Sequence, residues 1–144
     1  MKNTILVLFT IIIIIVTMIS IRYFSYKNEY YNVLKENEEY EKYKDKEIYG
    51  IELGTLINKT VDKNVKNKVD KNNGIFITNE ENSIKIQIYM QDNQQTYEME
   101  NFYNGGIEQF IQYYGNIKFK CSKIEYHEKT HKVKYLLFEQ QETS

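Results

Sequence analysis

The chain opens on an unbroken apolar run and becomes amphipathic only after it. Thr4 to Ile21 reads TILVLFTIIIIIVTMISI, eighteen residues without a charge. At 1.5 Å per residue such a helix spans about 27 Å, close to the ~30 Å hydrocarbon core of a bilayer. Extension to Phe24 with Arg22 snorkelling closes the difference. The five consecutive isoleucines from Ile11 to Ile15 make the run hydrophobic all round, which suits lipid better than one face of a small domain. Thr4, Thr10, Thr17 and Ser20 are tolerated there because their hydroxyls can return to the helix backbone.

No Gly or Pro interrupts the chain between this run and Gly50, and residues 27–47 are rich in Glu and Lys, both good helix formers. Tyr23, Tyr26, Tyr30, Val33, Asn37 and Tyr40 follow a 3-4-3-4-3 spacing that puts them on one stripe. Glu38 and Lys42 form an i,i+4 pair in the favoured order. The pattern predicts one helix from the apolar run to about residue 46, some 43 residues and roughly 65 Å long. Tyr26, Tyr30, Val33, Asn37 and Tyr40 are the candidate contacts of this stripe, either with a partner helix or with the chain's own domain. Asn37 stands where a coiled coil uses a polar residue to fix register.

Beyond Gly50 a second helical pattern runs to about Val65, with Ile51, Leu53, Leu56, Ile57, Val61 and Val65 apolar and Gly54 suited to close packing. Asn72-Asn73-Gly74 signals a turn. Alternation then takes over. Ile75 to Thr78 reads as a short strand, and Ser83 to Met90 as a half-buried one with Ile84, Ile86, Ile88 and Met90 on one face. Thr96 to Asn101 returns as a strand with Tyr97 and Met99 inward. A short helix follows Gly105-Gly106 and runs through Tyr113 to a stop at Gly115. Ile117 to His127 is a strand whose apolar phase shifts between Cys121 and Ile124, which predicts a bulge near Ser122-Lys123. Val133 to Phe138 is the last strand. The fold class is therefore α+β: a long N-terminal transmembrane and stalk helix, a second helix, and an antiparallel sheet of four or five strands with one short inserted helix. The expected division is a tail at 1–3, a transmembrane helix at 4–24, a stalk at 25–49, a head at 50–140 and a frayed end at 141–144.

Composition narrows the class. The 144 residues suit one compact domain plus an anchor. A net charge of −1 provides no electrostatic footprint for nucleic acid. Pro, Trp and Ala are absent and Arg22 is the only arginine, while Ile, Lys, Asn, Tyr and Glu abound, a bias expected of an AT-rich genome such as that of a low-G+C bacterium. Cys121, the one cysteine, cannot form an internal disulfide and reads as a small buried hydrophobe. No small-x-small pair precedes a plausible cut after the apolar run, so it reads as an anchor rather than a cleaved signal. A short tail before the span stays in the cytoplasm and long domains translocate largely regardless of charge. The expected location is the cell membrane, single-pass, N-terminus cytoplasmic and head outside.

One motif carries possible chemistry. His127-Glu128-Lys129-Thr130-His131 matches H-E-x-x-H, which in a metalloprotease needs both His on one helix face with the Glu as general base. Alternating segments flank it on both sides, so Glu128 to His131 reads as a hairpin loop. His127, Glu128 and His131 remain the only metal candidates, no cofactor is expected, and no other constellation looks catalytic. The expected class is a non-enzymatic membrane-anchored protein whose partners are the bilayer and membrane proteins met through helix and stalk. The alternatives are a tethered module binding a ligand or peptide at a sheet edge and, behind it, a metalloprotease.

An apolar N-terminal helix running into a helical stalk and a sheet-bearing head resembles type IV pilins and pseudopilins, including those of Tad-type pilus systems. The segment Tyr49-Gly50-Ile51-Glu52-Leu53-Gly54-Thr55-Leu56-Ile57-Asn58-Lys59 is also similar to one in small membrane proteins of clostridia. That likeness extends through Lys118-Phe119-Lys120-Cys121 and Lys123-Ile124-Glu125-Tyr126-His127. The resemblance to pilins implies a pilin-like assembly component. The chain departs from the pilin pattern in having no leader ending in Gly before the run and no Glu inside it.

Overall fold

The structure, a computed structural model, describes residues 2–142. Met1 of the expected tail and Thr143 and Ser144 of the expected frayed end lie outside the described residues. The chain divides into two units at Lys35/Glu36. A single helix, α1 (Lys2–Glu41), begins in the first and ends in the second. Within the first unit every large apolar side chain from Ile5 to Ile21 is about half exposed or more. The Thr10 hydroxyl donates to the Leu6 carbonyl at 2.6 Å, Thr17 to Ile13 at 2.7 Å and Ser20 to Val16 at 2.8 Å. The hydroxyls of Thr10, Thr17 and Ser20 are thus satisfied inside the helix, as lipid requires. The helix ends at Glu41, five residues before the expected end, and the chain turns through Asp45 at φ 58°.

The second unit begins at Glu36 and takes the last turns of α1. It continues with β1 (Glu47–Tyr49), α2 (Gly50–Lys66), β2 (Lys71–Asn72), β3 (Ile75–Phe76), β4 (Lys85–Met90) and β5 (Gln95–Glu98). Two short helices, α3 (Met99–Asn104) and α4 (Ile107–Tyr114), lead to β6 (Lys118–Tyr126) and β7 (Val133–Gln140). The main sheet has the order β1-β6-β7-β4-β5, and β2 pairs with β3 across the Asn73-Gly74 turn. The architecture is α+β as expected, with three differences. β4 and β7 pair in parallel, so the sheet is mixed rather than antiparallel. Met99 opens a helix rather than closing a strand, because Asn101 Oδ1 accepts from the Glu98 amide at 2.9 Å and closes a capping box there. Two short helices therefore stand where one was expected. Finally, Glu47 to Tyr49 forms an edge strand on Lys118 to Lys120 instead of prolonging the stalk.

The predicted bulge is present. Cys121 lies opposite Phe138 and Lys123 opposite Leu137, leaving Ser122 as the extra residue. Its effect is to keep both halves of β6 apolar toward the core: Phe119 and Cys121 before it, Ile124 after it. The core joins these residues to Ile86, Ile88, Met90, Leu136 and Phe138 of the sheet. From the helices come Tyr40, Leu53, Leu56, Ile57, Val61, Met99 and Phe110. The other sheet face is polar and tied by its own hydrogen bonds. Tyr135 donates to Gln87 at 2.8 Å, and Gln87 donates in turn to Glu98 at 2.8 Å. Ser122 donates to Glu139 at 2.9 Å.

Candidate functional site

The H-E-x-x-H segment closes the β6–β7 hairpin. The His127 amide donates to the Lys132 carbonyl at 2.8 Å, and the His131 amide to the His127 carbonyl at 2.9 Å. The loop residues are therefore Glu128 to His131, as the flanking alternation implied, and His131 ends the loop in the left-handed region at φ 57°. On a helix the two rings would share a face; here they separate. His127 is buried, with Nε2 at 2.7 Å from the Ser83 carbonyl, whereas Glu128 and His131 are exposed. A carbonyl only accepts, so Nε2 carries the proton. Burial favours the neutral ring and outweighs the Ser83 contact; the charges of Lys134 and Lys132 act in the same direction, and the pKa falls below its usual value. Among the described residues no group of three His, Cys, Asp or Glu side chains could hold a metal ion.

The hairpin is held at the end of the sheet where β4 and β7, being parallel, both begin. Asn37 Nδ2 donates to the His131 carbonyl at 2.8 Å and its Oδ1 accepts from the Val133 amide at 2.8 Å. Asn64 of α2 treats Ile84 the same way, donating to its carbonyl at 2.7 Å and accepting from its amide at 2.9 Å. Beside them Glu36 pairs with Lys63 at 2.9 Å and Lys132 at 3.0 Å. Partial burial would raise the Glu36 carboxyl, but the hydrogen bonds and charges of the two lysines outweigh it and hold it below the usual range. Thr130 donates to the Glu81 carbonyl at 2.7 Å, and Lys129 pairs with the Glu81 carboxylate. These contacts join α1, α2, the 79–84 loop and the hairpin into one clasp. Its chemistry is structural, since every polar group just named faces another group of the same chain.

Two clefts open on the second unit, one of them beside the hairpin. One, of about 350 Å³, is bordered by Thr78, Glu80, His127, Glu128, Lys129 and Lys134. It mixes both signs of charge and is open to solvent. The other, of about 220 Å³, runs between α3 and α4 and is lined by Phe102, Gly106, Phe110, Tyr113 and Tyr114. Cys121 is buried, and burial pushes its thiol up to about 11, so it stays protonated at neutral pH.

The predicted stripe divides at the boundary between the two units. Asn37 and Tyr40 belong to the second unit and are buried in it. Tyr40 packs in the core beneath Lys63, whose Nζ lies 5.1 Å from the ring centre, and burial pushes its phenol up to about 12. Tyr26 and Tyr30 remain 70% and 53% exposed, and Val33 is half-buried. Spacing by threes and fours missed Tyr31 and Leu34, which are 56% and 45% exposed and widen the apolar surface. It also missed Asn64, although a polar residue seven positions after Ile57 on the buried face was a signal of the same kind as Asn37.

No protein family, no curated protein and no solved structure matches this chain. What the fold defines is a class: an α+β head joined to a helix long and apolar enough to cross a membrane once.

Proposed function

We propose that this chain is a non-enzymatic envelope protein anchored in the cell membrane by α1, with its N-terminus cytoplasmic and its head outside, acting as a pilin-like component of a secretion or pilus apparatus. The observation that carries the reading is the exposure of the whole apolar run. From Ile5 to Ile21 no side chain is covered by the chain itself, and the same helix continues without a break into the head. An aqueous home for such a surface is costly, at about 25 cal/mol per Å² of apolar area. A non-enzymatic role is supported by the only catalytic motif being a hairpin loop whose buried histidine is engaged by a backbone carbonyl.

Extraction of membranes with alkaline carbonate tests the anchor: the chain stays with the bilayer, and release into the supernatant refutes it. Protease added outside intact protoplasts digests the head in the proposed orientation and spares it in the opposite one. The pilin-like role predicts recovery of the chain with sheared filaments or with the membrane platform of a secretion apparatus. A protein spread through the membrane and recovered with neither overturns that part of the reading.

A further inference from the structure

Two asparagines of the head, Asn73 and Asn104, are followed by glycine. In such a pair the next backbone nitrogen can attack the side-chain amide carbon, because glycine has no Cβ to obstruct the approach. The fold treats the two pairs differently. Gly105 caps α3, and its N–H donates to the Asn101 carbonyl at 3.1 Å, so that nitrogen is held in the last turn of a helix. Gly74 stands exposed at the tip of the β2–β3 ribbon with φ 82°, and its N–H makes no hydrogen bond among the described residues. Asn73 beside it is also exposed and holds φ 50°, a left-handed conformation that asparagine tolerates. For its Cγ to meet the Gly74 nitrogen, the turn must rotate out of that conformation. Little resists the rotation: β2 and β3 have two residues each, pair only with each other and stand apart from the main sheet. A ribbon of that size opens at low cost.

We infer that Asn73 is a site of spontaneous isoaspartate formation, and that the change loosens the ribbon from α3. The Gly74 nitrogen loses its proton to hydroxide and bonds to Asn73 Cγ. The Cγ–Nδ2 bond breaks, and Nδ2 takes a proton from water and leaves as ammonia, closing a succinimide ring. Water then opens the ring at either carbonyl. One product is aspartate; the other is isoaspartate, whose backbone runs through Cβ and Cγ and gains one carbon. No enzyme or oxidant takes part. Both products add one negative charge, but only isoaspartate lengthens the loop that sets Asn72 opposite Ile75 and Lys71 opposite Phe76. Phe76 ties the ribbon to the rest of the head. Its ring is buried, and its N–H donates to Glu100 Oε1 at 3.1 Å. Glu100 is itself 3% exposed, and its Oε2 has no partner among the described residues. A register change at the turn pulls on the Phe76–Glu100 bond, whose loss strips a buried carboxylate of that donor.

The test incubates the detergent-solubilised full chain at mildly alkaline pH, folded and in urea, and follows both sites by mass spectrometry of tryptic peptides. Cleavage after Lys71, Lys85 and Lys118 puts Asn73 and Asn104 in different peptides, and electron-transfer fragmentation separates isoaspartate from aspartate. In the folded chain Asn73 converts several-fold faster than Asn104, mainly to isoaspartate, whereas in urea the two rates converge. The Phe76 amide of the converted chain exchanges its hydrogen several-fold faster than that of the fresh chain. Freshly prepared Asn73→Asp, which has the charge without the extra carbon, keeps the native exchange rate. Equal rates at the two sites in the folded chain, faster conversion at Asn104, or an intact Asn73 in a folded chain whose urea-unfolded form converts overturns the inference. Unchanged Phe76 exchange in the isoaspartate form overturns the loosening of the ribbon.

Discussion

Asn37 and Val133 are bonded as residues of neighbouring strands would be, although Asn37 lies on a helix. Its side-chain amide receives the Val133 N–H and gives its own N–H to His131, so the N–H at the start of β7 is satisfied by a helix side chain. Val133 is 2% exposed, and water cannot replace this contact. Asn37→Leu leaves a buried N–H and a carbonyl without partners and costs about 2–3 kcal/mol. Asn37→Asp keeps the acceptor but sets a carboxylate against the His131 carbonyl, and it also destabilises. Denaturant unfolding of the detergent-solubilised chain measures both. A loss under about 0.5 kcal/mol in either would show that the clasp is not part of what holds the hairpin.

Local pattern revealed the elements whose residues also pack locally. The strand at Ile86 to Met90, the bulge after Cys121, the hairpin loop at Glu128 to His131 and the helix from Gly50 all show in alternation, phase shift or turn chemistry. The parallel pairing of β4 with β7 does not, because it joins segments about fifty residues apart and either direction satisfies the same alternation. β1 has a single buried residue, Ile48, which is too short a signal for any period. At Met99 the strand alternation simply runs on from Tyr97, and only Asn101, three residues after Glu98, marks a helix start. The candidate stripe was legible as spacing but not as two halves, since where the head begins along α1 depends on which carbonyls Asn37 finds.

His127 makes stability depend on pH. Its pKa in the fold lies below the ordinary value of 6.5, chiefly through burial, so the unfolded chain binds the proton more readily. Its contribution is complete above pH 6.5 and is lost as the pH falls from there toward the depressed value. The carboxyls held low by lysines, Glu36, Glu81 and Glu125, act only below about 4.5 and belong to a separate, lower window. Melting temperature should therefore drop between pH 7 and pH 5. In His127→Gln, which can still donate to Ser83, that drop should largely vanish; an unchanged slope would mean that another group titrates there.

Gly50 and Gly54 of α2 both face α4 but differ in what a side chain would meet. A Cβ at Gly50 would collide with the Tyr114 carbonyl, which is backbone and cannot step aside. A Cβ at Gly54 would stand 2.9 Å from Ile111 Cγ1, the movable part of a side chain. Replacing helical Gly by Ala gains about 1 kcal/mol of helix propensity. Gly54→Ala is then near neutral, whereas Gly50→Ala costs about 2–4 kcal/mol through forced backbone displacement. Equal melting temperatures for the two variants would contradict the packing described for the α2–α4 contact.

The two histidines of the H-E-x-x-H segment should respond oppositely to substitution. His131 holds φ 57°, a conformation that costs an ordinary L-residue roughly 1–2 kcal/mol. His131→Gly removes that strain while adding freedom to the unfolded chain, and the two effects nearly cancel; His131→Val costs about 1–2 kcal/mol because a β-branched residue resists the left-handed region. His127→Ala, by contrast, empties a buried site and strips the Ser83 carbonyl of its donor, a loss of about 2–3 kcal/mol. A zinc site would make both histidines essential, and chelation would lower the melting temperature. Here a chelator leaves melting unchanged, and His131→Gly keeps the fold while His127→Ala weakens it. If zinc raised the melting temperature of the native chain and either substitution abolished that rise, the two rings would have to approach each other, and the hairpin geometry described for this segment would be wrong.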